Sequence, residues 1–181
     1  SKEETVARRV DEIARELEEK NKKWEDDSRK AVDELRRKLE EWEKRSRDLR
    51  EKVKDLLRKL KDQDDKERLK EEVRRVLEEW RRELKKLREE VKRTAEKWRR
   101  ELKKLEDDSR RKLEEVKREL EELDVSEELK KKVEKLLEDH RKKSEELLRK
   151  DEKLIRDMER EVERLLREDE KVIEDVERAT K

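Results

Sequence analysis

Apolar residues recur in steps of three and four along almost the whole chain, and the cadence pauses twice. A first stripe runs through Val6, Val10, Ile13, Leu17, Trp24, Leu35, Leu39, Trp42, Leu49, Val53, Leu56 and Leu60, with Asn21, Ser28, Ala31 and Ser46 filling its remaining places. A second runs from Leu69 through Val73, Val76, Trp80, Leu84, Leu87, Val91, Trp98, Leu102, Leu105, Leu113, Val116 and Leu120 to Leu123, with Thr94 and Ser109 in step. The third joins Leu129, Val133, Leu136, Leu147, Leu154, Met158, Val162, Leu165, Val172 and Val176, and holds His140, Ser144, Asp151 and Asp169 at stripe positions. Spacing of this kind marks amphipathic helices. The pauses fall at 61–65 and 124–126. Asp64 with Glu67 has the pattern of a capping box, and Ser126 before Glu127 and Glu128 sets an N-cap ahead of acid in the first turn. The pattern therefore predicts helices over about 2–61, 65–123 and 127–179, each about 85–90 Å long at roughly 1.5 Å per residue. Links this short make neighbouring helices antiparallel. The expected fold is all-α, a single-chain up-down-up three-helix bundle forming one domain over 1–181.

A longer period lies over the stripe. Trp24 and Trp42, Trp80 and Trp98, and Asp151 and Asp169 are each 18 residues apart, inside near-duplicated segments. WRRELKKLREEVKRTAEK from Trp80 is followed by WRRELKKLEDDSRRKLEE from Trp98. Eighteen residues make about five turns at 3.6 residues per turn, so the pattern returns to one face of a helix that does not supercoil. A heptad repeat imposes a left-handed twist instead. Long, nearly untwisted helices follow.

The turns also fix which residues share a level. A hairpin closing near residue 63 makes level positions on the first two helices total about 126, and closure near 124–125 makes those on the second and third total about 249. Leu35, Val91 and Met158 then share a layer, as do Val10, Val116 and Val133. The polar stripe residues coincide under the same rule. Ser28, Trp98 and Asp151 form one layer with Trp24 a turn away, and Ser46, Trp80 and Asp169 form another with Trp42 a turn away. Each Asp is expected to accept from two indoles and a serine, and no Lys or Arg occupies a stripe position to balance it. Ser109 lies level with His140, and Asn21 and Ser144 lie close by. Polar residues entering as sets is what a satisfied buried network requires, because a half-satisfied one is worse than an apolar core.

Composition sharpens this picture. The chain has 181 residues, of which 28% are hydrophobic and 66% charged, too few apolar residues for a thick core. Lys+Arg 60 against Asp+Glu 59 leaves a net charge of +1, so no basic stripe is offered to nucleic acid. Gly and Pro are absent, which removes the usual helix breakers, and Cys is absent, which removes disulfides and thiolate chemistry. The opening Ser1-Lys2-Glu3-Glu4 holds no signal region, and no apolar run approaches the roughly 20 residues of a membrane span. A soluble protein without membrane or nucleic-acid partners is expected.

A Ser109/His140 nucleophile and base pair would need a sharp nucleophile turn, an oxyanion hole and a cleft, none of which a mid-helix position supplies. Asp151 and Asp169 lie about 27 Å apart along one helix at the usual rise, too far to share a metal ion or act as an acid/base couple. Four Trp at stripe positions read as core rather than a cofactor box. No enzyme, metal or cofactor is expected. Doubled positions such as Leu56/Leu57, Leu136/Leu137, Leu154/Ile155 and Val172/Ile173 widen the stripe. They either complete a three-helix core, which needs more than two apolar positions per heptad, or offer a face for self-association or a partner. A monomer is the expectation.

With its copied 18-residue blocks, Glu/Lys/Arg surfaces and polar layers, the chain resembles a computationally designed (de novo) straight three-helix bundle with buried hydrogen-bond networks. The resemblance covers essentially all residues. It implies a scaffold without natural activity or natural compartment, cytoplasmic in an expression host. Spectrin-like repeats, also three-helix units, differ in their heptad packing and lack near-exact internal copies.

Overall fold

The computed structural model describes residues 2–62, 64–122 and 125–181. Three helices account for nearly all of them: α1 over Lys2–Asp62, α2 over Lys66–Glu121 and α3 over Glu127–Ala179. Strong helix formers uninterrupted by Gly or Pro explain their length, and no strand occurs among the described residues. Hairpin closure at residue 63 and at 124, and the stripe position Leu123, lie outside the described residues.

The α2 start departs from expectation. The Lys66 N–H donates to the Asp64 carbonyl at 3.0 Å, which uses Asp64 in the turn. The first helical bond then runs from Leu69 N–H to the Asp65 carbonyl at 3.3 Å, making Asp65 the cap residue in place of Asp64. Its carboxylate pairs with Arg68 Nε at 3.1 Å. Ser126 caps α3 as its sequence context predicts: Oγ accepts from Leu129 N–H at 3.4 Å and its carbonyl from Lys130 N–H at 3.1 Å.

Two compact units divide the chain, Ser1–Val32 with Lys97–Leu154 and Asp33–Glu96 with Ile155–Lys181. Each contains a stretch of all three helices, with α2 antiparallel to α1 and α3. The core of the first unit joins Val6, Val10, Ile13 and Leu17 of α1 to Val116 of α2 and Val133 and Leu137 of α3, and Val125 closes it at the α3 end. The expected Val10, Val116 and Val133 layer lies inside it. In the second unit Leu49 and Val53 pack with Val73 and Trp80 and with Leu166 and Ile173. Leu35 and Val91 are buried there, whereas Met158 is half-buried.

The phase of α3 is broader than one stripe. At its doubled positions Leu137, Ile155, Leu166 and Ile173 are the buried members, while the stripe residues Leu136, Leu154, Leu165 and Val172 are half-buried. A helix facing two neighbours buries an arc wider than a single column of side chains, so both members contribute and the core-facing centre lies beside the expected column. Cross-helix ion pairs respect the register. Arg9 with Glu119 (2.9 Å) and Lys112 with Glu16 (3.0 Å) join α1 to α2 in the first unit, and Arg45 with Glu83 (3.0 Å) does so in the second. Each pair totals 128, within two of the expected 126.

Candidate functional site

The first unit holds a carboxylate inside its core. Asp151 of α3 is buried, and its Oδ2 accepts from Trp24 Nε1 at 2.7 Å and from Ser28 Oγ at 2.5 Å. Both donors come from one face of α1, a turn apart. Trp98 of α2 is buried at the expected level, but no hydrogen bond joins it to Asp151 among the described residues. The expected pair of indole donors is therefore a single indole, and Trp98 contributes packing.

The copied layer in the second unit resolves differently. Ser46 Oγ lies 3.0 and 2.9 Å from the two carboxylate oxygens of buried Asp169, and Trp80 Nε1 donates to Oδ2 at 3.4 Å. Here the indole comes from α2, and Trp42, though buried, makes no hydrogen bond to the carboxylate. The third partner is Arg50, whose Nη2 donates to Oδ1 at 2.6 Å. No Lys or Arg occupies a stripe position, as expected, yet at this layer a cation reaches the carboxylate from the flank. Arg50 lies outside the stripe, its side chain 37% exposed against 4% for Asp169, and it reaches inward along its aliphatic stem. Its Nε is buried without a partner. A signal was present in the repeat: 18 residues before Arg50 stands Val32, buried in the first unit. Val at one position and Arg at its counterpart distinguish the two layers, and no cation pairs with Asp151 among the described residues.

His140 centres the third polar group. Asn21 Nδ2 lies 3.3 Å from Nδ1, Ser109 Oγ 3.0 Å from Nε2 and Ser144 Oγ 3.4 Å from Nε2, so the four residues predicted to cluster do so. Burial, with smaller repulsion from Lys20 and Lys143, holds the imidazole below its usual 6.5. The ring is accordingly neutral near pH 7. An amide nitrogen only donates, so Nδ1 accepts and Nε2 carries the proton. In this tautomer the ring presents a proton, not a lone pair, to Ser109, and a serine that accepts from imidazole is not activated as a nucleophile. The geometry suits binding and orientation rather than acyl transfer. Among the described residues no group of three or more His, Cys, Asp or Glu could hold a metal ion. No helix among the described residues is long and apolar enough to cross a membrane.

The architecture has a counterpart among solved structures. The chain is similar to one described as "Computationally designed three helix bundle", at 21% identity and a TM-score of 0.54, covering 98% of this chain and 86% of that one. At this identity the likeness establishes the fold, a three-helix bundle. No protein-family model matches the chain, and no curated protein matches it.

Proposed function

We propose that this chain is a designed structural scaffold that performs no reaction, and that its polar layers fix the register of three long helices. One observation carries the reading: Ser28 with Asp151 and Ser46 with Asp169 keep the same separation of 123 residues between α1 and α3. A slip of one turn would break both sets at once, and each stranded buried group would cost about 1–3 kcal/mol. Leucine and valine layers alone would resist such a slip far less. The copied blocks, the absence of Gly, Pro and Cys, and the likeness to a designed bundle support a de novo origin. A scaffold of this kind needs no cofactor, metal or partner, and acts as one monomeric domain over 1–181. Asp151→Leu tests the role. It should lower the unfolding free energy in urea by about 1–3 kcal/mol and move the Trp24 indole proton resonance, while wild-type light scattering returns 22.7 kDa. Unchanged stability together with an unmoved indole would remove the register role.

A second reading, self-association through helix faces, is favoured by a groove between α2 and α3 of the first unit. It measures about 640 Å³, with Leu113, Leu120, Val133 and Leu137 among its lining residues. A second copy of the chain seated there would double the mass in the same scattering experiment.

A further inference from the structure

Beside the His140 network in the first unit lies a small cavity of about 150 Å³, partly open to solvent. Its apolar walls are Trp24 of α1, Leu113 of α2 and Leu148 of α3, and Ser109 and Ser144 supply polar lining. Packing slackens where it sits. From Leu105 to Leu113 every stripe residue of α2 is only half-buried, although Leu102 and Val116 on either side are buried.

Spare hydrogen-bonding capacity faces this space. The hydroxyls of Ser109 and Ser144 each have His140 Nε2 as their sole hydrogen-bond partner among the described residues. Neither bonds the carbonyl one turn back, as Thr94 does with Glu90 at 2.9 Å. A neutral imidazole offers one proton at Nε2, so the two hydroxyls keep protons to donate and lone pairs to accept with. Two further features set the ligand class. Glu106 with Arg110 (3.2 Å) and Arg141 with Glu145 (2.7 Å) also line the cavity, and these paired charges leave it without net charge. An opening of about 150 Å³ is the size that admits one benzene ring.

We propose that this cavity binds a neutral single-ring aromatic alcohol, with phenol the simplest member. The ring packs against the Trp24 indole and the two leucines, and the hydroxyl joins Ser109 and Ser144. Phenol and benzene titrations followed by ¹⁵N–¹H spectra of the intact chain test this. Phenol should move the Trp24 indole and the His140 ring resonances saturably, and leave the Trp42 and Trp80 indoles of the second unit unmoved. Its affinity should exceed that of benzene by about three- to tenfold, the worth of one hydrogen bond, and Ser109→Ala should bring the two together. Leu148→Trp, checked for helicity by circular dichroism, should fill the space and abolish binding; if that variant fails to fold, the serine variant still decides. Absence of a saturable shift at Trp24, equal shifts at all four indoles, or equal affinity for phenol and benzene in the wild type would overturn the proposal.

Discussion

A proton on His140 would place charge in the core beside Lys20 and Lys143 and turn Nδ1, which accepts from Asn21, into a donor facing a donor. On α2 the groups near the ring are Ser109 and, at the adjoining cavity, Glu106 and Arg110. Because the folded ring titrates below the usual 6.5, the unfolded chain binds more protons between the two values, and stability rises with pH in that window. The contribution is full above about pH 6.5, falls as pH drops toward the lowered folded value, and levels off below it. Comparing the wild type with His140→Gln in urea from about pH 7.5 to about pH 5 isolates the effect, since the surface carboxylates are common to both. The wild type should lose stability relative to the variant across that range; a constant difference would show that the ring is not held neutral by burial. The polar stripe residues themselves were legible because Ser, Asn, His and Asp interrupt an otherwise apolar cadence. Arg50 was not, since a stripe reading discards charged residues on the flank, and a long side chain can carry its charge into the core from there.

At the scale of elements, helix existence follows from composition and period, and helix ends follow from a few local hydrogen bonds. Ser126 illustrates the second point: its hydroxyl meets the N–H of Leu129, one of the four donors a helix start leaves unsatisfied. Ser126→Ala should destabilise the chain by about 1 kcal/mol in chemical denaturation. Asp64→Ala should change stability by much less, because its carbonyl, which the substitution retains, makes the turn bond to Lys66 and the cap position belongs to Asp65. Equal losses for the two would restore Asp64 as the cap. Two adjacent Asp residues satisfy the same sequence pattern, and only the path of the turn chooses between them. The burial phase of α3 was hidden for a related reason. Doubled apolar positions specify a broad arc, and the most buried column within that arc depends on where the two facing helices lie.

Register is a property of the whole chain, and it was the most legible feature because two short turns set which residues lie level, the alignment that the polar layers then hold. Ser109 with His140 and Trp80 with Asp169 both total the expected 249. What periodicity does not encode is whether the two compact units respond as one domain. Their boundary falls in mid-helix, after Val32 in α1, Glu96 in α2 and Leu154 in α3, and each helix is continuous across it. Opening one unit alone would move three helix ends without removing any, so the remaining unit would still carry the end-group and nucleation cost of all three helices on its own burial alone. That penalty couples the units and favours a single cooperative transition. The four indoles are natural reporters, Trp24 and Trp98 in the first unit and Trp42 and Trp80 in the second. Their native ¹⁵N–¹H peaks should vanish over the same range of urea. If the first pair disappears well before the second, with the His140 resonances following the first, the chain is two folding units strung on shared helices, and the polar layers act locally within each.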